Sequence, residues 1–504
     1  MREATVLKED ARGRRYALYG CLLFLVALSL LFRFLTSELV EDGGDAVYKW
    51  MLVKQYVLFG DLPASWNHHA CRWAVNIPVF FIQKWFGTAP TVYYVWPFFL
   101  STLTVVFGFL LLARLRSWRV GLVGGILIVL SLPMIRLGSQ ILPMGAVITY
   151  LLGALYCLTR WRDDGGMANM IASALFFSLA YGAKVTSIYY LPAFLLLIWM
   201  LADGMGARVR YVLCFLGVFL VVYAAETAVF DLLTGASLGR LELIQHSHRP
   251  IRTIDAAVRN WQSYSVSLTE YLANFLVYFR HPGGFVSILL YGTFLVSVSA
   301  LLRKWRNIYI PAVPFLFGFL GHAYAITSVF PFNRPERMLF RYQFVEFELA
   351  ILIMMLFLST VRFEGLARKC RLPVRLGERG IRAVLFAALV LLIARYAVPA
   401  VHADTGCMRT ARVMETVRQA RAEGLPVFIP EGEDEKHTVK GIHKYRALYT
   451  EIRYHGNVPY YDRSHGLSLE DFPALTRDGK TYLLMERNGF AGEWDDRAVI
   501  LTEY

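Results

Sequence analysis

Apolar residues in this chain are gathered into long blocks, instead of alternating as in a half-buried strand or recurring every three to four residues as in a soluble amphipathic helix. Eleven runs stand out, at about residues 17–36, 92–113, 120–135, 141–159, 168–183, 187–202, 211–230, 284–302, 308–330, 343–361 and 383–400. A helix rising 1.5 Å per residue needs about 20 such residues to cross a hydrocarbon core of about 30 Å. The pattern therefore predicts an all-α polytopic membrane protein with about 11 transmembrane helices. The first run follows a basic tail, but it is too long for a signal-peptide core and no small-residue cleavage site follows it, so it is read as a retained first span.

Composition agrees with lipid as the solvent: 56% of the 504 residues are hydrophobic and 18% are charged, against about a quarter charged in soluble domains. Lys and Arg concentrate in alternate connections. Arg2, Lys8, Arg12, Arg14 and Arg15 precede the first run, and Arg114, Arg116 and Arg119, Arg160 and Arg162, Arg208 and Arg210, Arg303, Lys304 and Arg306, and the stretch 362–382 follow on the same side. The positive-inside bias makes that side cytoplasmic, with the N-terminus. The formal charge of +14 then reports topology, not nucleic-acid binding, because the excess sits in turns facing anionic headgroups while the segment from 402 onward has 14 basic and 17 acidic residues.

On the opposite side the longer segments are 37–91, 231–283 and 401 to the end. The predicted division is therefore a transmembrane domain over 1–401 and a small α/β domain over 402–504. In the first outer loop, DAVYKWMLVKQYVLFG reads as a helix closed by Gly60, and NHHACRWAVNI as the start of a second one that Pro78 ends or kinks. Both are expected to lie at the membrane surface as amphipathic helices. In the tail, ARVMETVRQARAEG reads as an amphipathic helix, and PVFIP, TYLLMER and RAVILTEY as strands. Six scattered cysteines make no disulfide or zinc framework, although Cys71 and Cys407 both fall outside and leave one disulfide open.

Charges at or just beyond an apolar run are costly unless paired or functional, so candidate chemistry is sought there. In EDGGDAVYKW, Asp45, Tyr48 and Lys49 share a helical face, and Asp42 stands three residues before Asp45; the same acids also suit helix capping. In WNHHACRW, His68 and Arg72 are four apart on one face with His69 beside them, suited to phosphate and sugar binding or to interfacial anchoring. Lys184 interrupts an apolar hairpin in AYGAKVTSIYYLPAF, where it binds an anion or snorkels. Arg334, Arg337 and Arg341 enter the tenth run from the outside, against the orientation bias, and phosphate binding accounts for them. An outer carboxylate with several outer cations suits attack of an acceptor on a sugar carbon whose leaving group is a lipid phosphate.

These pieces, in this order and on one side, resemble the GT-C superfamily of membrane glycosyltransferases, which includes protein O-mannosyltransferases and the aminoarabinose transferases that modify lipid A. EDGGDAVYKW is similar to the family's acidic residue after the first span. KWFGTAPTVYYVWPFFLSTLTVVFGFLLLARL is similar to its approach to the second span, AYGAKVTSIYYLPAFLLLIWM to its lysine- and proline-bearing hairpin, and ERMLFRYQFVEFELAILIMM to the Arg-Tyr opening of a late span, here Arg341 and Tyr342. The resemblance covers roughly residues 17–400 and departs from the family in lacking an Asp-Glu pair in the first loop and in carrying His68–His69.

The resemblance implies a polyprenyl-phosphate-linked sugar donor, used with inversion on the outer face of a bacterial inner membrane. The acceptor is a glycan, lipid or protein. The C-terminal domain would be periplasmic, and Asp45 would be the base with Asp42 its rival. Arg72, Lys184, Arg337 and Arg341 would hold the donor phosphate, and Tyr48, His68, His69 and Tyr342 would contact substrate. Single-sugar members imply no tightly bound metal, whereas the oligosaccharyltransferase branch uses a divalent one. Two other classes fit the same topology: an O-antigen polymerase or ligase, whose large outer loop falls between late spans, and a lipid or sugar transporter, which needs no base.

Overall fold

The computed structural model describes residues 2–40, 44–63, 66–248, 269, 273, 284–324, 343–361, 374–431, 448–450, 472–486 and 497–501, in places, residues 2–15 and 44–45 among them, by backbone alone. Helices α1 (Arg2–Leu35), α2 (Gly44–Phe59), α3 (Trp73–Phe86) and α4 (Val95–Leu115) are followed by α5 (Trp118–Val129), α6 (Leu132–Leu137), α7 (Pro143–Asp164) and α8 (Met167–Ala183). Then come α9 (Leu191–Leu201), α10 (Met205–Thr234), α11 (Arg240–His248), α12 (Gly284–Leu302), α13 (Arg306–Tyr324), α14 (Phe344–Thr360), α15 (Val374–Ala397) and α16 (Gly406–Ala422).

Each of the eleven apolar runs falls on helix where it is described. By length and composition, α1 from Tyr16, α4 with the 3₁₀ turn Pro90–Tyr94 before it, α7 and α10 are long enough to cross a membrane. Among the described residues α5, α8, α9 with the turn Val185–Tyr190, and Val286–Leu302 are shorter apolar helices. The run at 120–135 is broken between α5 and α6, where Ser131 closes the first helix and its Oγ accepts from the Met134 amide at 3.3 Å.

The chain divides into two compact units. One unit holds 1–32, 100–137 and 143–400; the other joins Arg33–Phe99 and Gly138–Leu142 to Val401–Tyr504, so that the first loop groups with the tail. In the first unit, Phe177, Phe194, Phe215 and Phe219 pack ring against ring between α8, α9 and α10. Thr104 and Thr149 join α4 to α7 through a 2.7 Å hydroxyl–hydroxyl hydrogen bond, with the Leu100 and Gly145 carbonyls one turn back also within hydrogen-bond distance, at 3.0 and 2.9 Å. Such pairs satisfy polar groups where no water reaches.

In the second unit, α2 is buried along most of its length, with Lys49 and Trp50 fully covered. Helix α3 runs on to Phe86 with Pro78 inside it. Pro78 is the sixth residue, where its missing N–H breaks one bond of the ladder, and the apolar face on either side still packs, with Val75 and Val79 fully buried.

The tail forms a sheet in the order β2-β3-β1-β4, from β1 (Val427–Pro430), β2 (Ala474–Arg477), β3 (Lys480–Glu486) and β4 (Val499–Ile500). Strand β1 is antiparallel to β3 and parallel to β4, and α16 lays Val413, Val417 and Ala420 on Val427, Ile429, Leu483 and Met485. Arg421 closes that edge on Glu486, at 2.5 and 2.8 Å. Three strands correspond to expectation. The fourth, β2, pairs with β3 around Asp478–Gly479, both at positive φ, a hairpin turn that the sequence RDGK encodes.

Lys54 of α2 donates to the carbonyls of Leu448 (3.0 Å) and Thr450 (2.9 Å), tying the tail to the first loop within this unit. Lys54→Met keeps the apolar stem and leaves two carbonyls to find other donors. It is expected to cost about 1–3 kcal/mol and to speed proteolytic cleavage near residue 450 at unchanged expression.

Candidate functional site

The residues predicted to carry chemistry fall in both units. In the unit containing the first loop, Asp45 is the second residue of α2, one turn ahead of Tyr48 and Lys49. The Tyr48 hydroxyl accepts from Asn67 Nδ2 at 2.9 Å, and Asn67 Oδ1 accepts from the backbone amides of His69 (2.9 Å) and Ala70 (3.1 Å). That is an Asx turn, which an Asn two or three residues before the amides can form where a helix cannot. Asn76 of α3 donates to the His69 and Ala70 carbonyls, both at 3.0 Å, and locks the turn from the other side. His69 stands edge-on to Tyr48 with centroids 5.2 Å apart, its neighbour His68 lies 3.8 Å away, and Arg72 Nη1 is 3.4 Å from His69 Nδ1.

The structure thus brings Tyr48, His68, His69 and Arg72 together. It does so by a turn, with Arg72 at the N-cap of α3, and not by the shared helical face the spacing suggested. Asn67 and Asn76, which hold the turn, were missed; their signal was an Asn at the start of a segment with two histidines and no apolar period. Burial raises the Tyr48 hydroxyl above its usual pKa, partly offset by the bond from Asn67, so Tyr48 stays protonated at neutral pH and acts as a donor or acceptor, not as a base. Asn67→Ala removes the acceptor for two amides and the donor to Tyr48, and is expected to cost about 1–2 kcal/mol. Hydrogen exchange at residues 68–72 should rise more than at α2.

The segment leading from α1 toward the acidic residues is held just as closely. Tyr94 donates to the Glu38 carbonyl at 2.7 Å and meets Thr410 Oγ1 at 2.9 Å, Gly406 N–H donates to the Ser37 carbonyl at 2.9 Å, and Gln140 Nε2 donates to Glu38 Oε2 at 2.5 Å. Cys71 and Cys407 both belong to this unit and are not joined by a disulfide.

Lys184 belongs to the other unit, in an extended conformation between the end of α8 and the turn Val185–Tyr190, with Nζ 3.3 Å from Met144 Sδ. The same unit holds buried ionisable residues that sequence reasoning passed over. Glu346 in the first turn of α14 accepts from the Tyr190 hydroxyl (2.5 Å) and lies 3.2 Å from His322 Nδ1, and Glu348 accepts from Ser131. Glu226 and Arg240 pair at 2.7 Å, almost wholly buried. The signal was available, since an ionisable residue inside an apolar run is a functional candidate by default. Asp42, Arg334, Arg337, Arg341 and Tyr342 lie outside the described residues. Among the described residues, no group of three or more His, Cys, Asp or Glu could hold a metal ion.

No protein-family model matches the chain, and no curated protein does. Solved structures do, and what the likeness shows is the fold. ArnT from Cupriavidus metallidurans bound to undecaprenyl phosphate is 13% identical, with 92% of this chain and 98% of that one covered at a TM-score of 0.53. Its apo form gives 14%, 86%, 85% and 0.50. The archaeal oligosaccharyltransferase AglB from Archaeoglobus fulgidus, in complex with an inhibitory peptide and a dolichol-phosphate, is 12% identical with a TM-score of 0.51 over 89% of this chain. The chain spans 61% of the length of AglB.

Proposed function

We propose that this protein transfers a sugar from a polyprenyl-phosphate donor to an acceptor on the outer face of a bacterial inner membrane, through about 11 spans with the N-terminus cytoplasmic. The observation that carries the reading is the likeness, over almost the whole of both chains, to a structure holding undecaprenyl phosphate. The acceptor, a glycan, lipid or protein, presents a hydroxyl or amine that attacks the anomeric carbon. The bond from that carbon to the phosphate oxygen breaks with inversion, polyprenyl phosphate leaves, and the acceptor proton passes to Asp45 or, failing it, Asp42.

Arg72, Lys184, Arg337 and Arg341 offset the charge that grows on the phosphate, where preorganised cations act without rearranging. Tyr48, His68, His69 and Tyr342 line the sugar and acceptor. The locked turn from Asn67 to Asn76 supports this assignment, because it fixes Arg72 and His69 beside a neutral Tyr48 hydroxyl.

The test is incubation of the purified protein in lipid nanodiscs with total polyprenyl-phosphate sugars from a bacterial envelope extract. Release of polyprenyl phosphate that depends on an added envelope acceptor supports a transferase. Flipping of the donor across proteoliposomes with its sugar bond intact would point to a transporter and overturn the proposal.

A further inference from the structure

Helix α8 stops at Ala183, and a helix end leaves carbonyls without intrahelical partners. Arg240 takes up two of them, donating Nη2 to the Tyr181 carbonyl at 2.9 Å and Nη1 to the Gly182 carbonyl at 2.8 Å. Its guanidinium also lies 4.7 Å over the Tyr181 ring and pairs with Glu226. A buried cation at a helix C-terminus matches the negative end of the dipole, and Glu226 offsets the charge. The next residue after this capped end is Lys184.

On the other side of Lys184, the turn Val185–Tyr190 opens with the Ser187 amide donating to the Lys184 carbonyl at 3.0 Å and with Ser187 Oγ bonded to the Ala180 carbonyl at 3.0 Å. It ends at Tyr190, whose hydroxyl is fixed on Glu346 Oε1, the oxygen that also faces His322 Nδ1. Gly318 of α13 makes room for this contact, since a Cβ there would collide with both the Tyr190 ring and Glu346 Oε1. Two buried polar clusters, drawn from four different helices, therefore grip the chain immediately before and a few residues after one lysine. Ionisable groups kept inside an apolar bundle, even paired, are candidates for function.

We infer that Glu226–Arg240 and Glu346–His322 are positioning pairs that hold Lys184 for the donor phosphate. This rests on the donor reading proposed above and names residues that it lacked. The geometry differs from packing alone in one respect: one cluster holds the backbone just before Lys184 and the other holds the Tyr190 side chain at the end of the turn that follows it, so their effect on an anionic ligand should pass through the Lys184 side chain.

The experiment is a double-mutant comparison on the full-length protein in nanodiscs, with equilibrium binding of undecaprenyl phosphate and, as the neutral probe, undecaprenol. Lys184→Met is expected to weaken undecaprenyl phosphate about tenfold and leave undecaprenol unchanged. Glu346→Gln, and Glu226→Gln made together with Arg240→Met so that no lone charge is left buried, should each weaken the phosphate ligand about three- to tenfold and add no further loss in the Lys184→Met background. His322→Asn keeps an N–H at the Nδ1 position and should bind like the wild type, whereas His322→Ala should bind like Glu346→Gln. If Glu346→Gln does not fold, Tyr190→Phe carries the same comparison with the loss of one hydroxyl.

Equal losses in the two backgrounds, or a parallel loss of undecaprenol binding, would make the clusters structural and overturn the inference. Wild-type protein that does not distinguish the phosphate from the alcohol would bring down the donor reading itself.

Discussion

Asp45→Asn is expected to lower the turnover of a polyprenyl-phosphate sugar by about 10³-fold while leaving the affinity for the lipid phosphate within about threefold. The substitution keeps volume and hydrogen-bonding capacity and removes only the ability to take a proton, so a base lost from the transition state appears in the chemical step and not in donor binding. Asp42→Asn made in parallel decides between the two acids, as the one serving as base should carry nearly all of the loss. Tyr48→Phe supplies a third comparison: its hydroxyl is held protonated by burial and engaged with Asn67, so its removal should cost no more than about tenfold. Single-turnover measurement, with donor bound before acceptor is added, separates chemistry from product release. Full turnover retained in both Asp variants would remove the centre of the transferase reading.

The bundle was legible because lipid imposes one rule on every span, a run of about 20 apolar residues, and residues such as Leu151, Phe177 and Leu352 obey it whatever they pack against. The hairpin of β2 and β3 was only half legible. Strand β2 is four residues long with Leu475 as its one buried position, so it lacks a readable alternation and depends on the turn at Asp478–Gly479 and on pairing with β3. The site was legible in its residue types and not in its geometry. Spacing of four suggested that His68 and Arg72 share a helix, but Asn67 captures the amides of His69 and Ala70 and diverts the chain into a turn. The grouping of the first loop with the tail was invisible, because its contacts link positions far apart in sequence, such as Lys54 with Leu448.

The buried polar clusters show the opposite kind of loss. Glu226 and Glu346 each stand in a run whose apolar average hides them, while Arg240 and His322 sit near ends where a basic residue attracts no notice. Only the fold reveals that each acid meets its partner and that both pairs bracket Lys184. The first-loop cations and the Lys184 hairpin therefore have different kinds of support: a locked turn and an Asx cap for Arg72, and buried charge for Lys184.

The second large effect is expected at Gly406, the first residue of α16. Its N–H donates to the Ser37 carbonyl, the Cys407 amide donates to Ser37 Oγ at 3.0 Å, and Thr405 before it caps the helix by accepting from the Met408 amide at 3.3 Å. A Cβ at Gly406 would strike the Glu38 carbonyl group and come within 2.6 Å of the Leu39 nitrogen, all backbone atoms that cannot rotate away. Gly406→Val must therefore push the start of α16 off the segment 37–39, at a cost on the order of 3 kcal/mol. Met408→Val, half exposed on the same helix, should change stability by no more than about 0.5 kcal/mol and serves as the control. Because Ser37–Glu38 leads directly into the acidic segment that ends at Asp45, the displacement should also reach the chemistry, where about 1 Å of misplacement can cost 10²-fold. Thermal unfolding and turnover measured on the same preparation test both effects. Loss of stability with turnover of the folded fraction unchanged would show that the tail braces the first loop without setting the position of its acids.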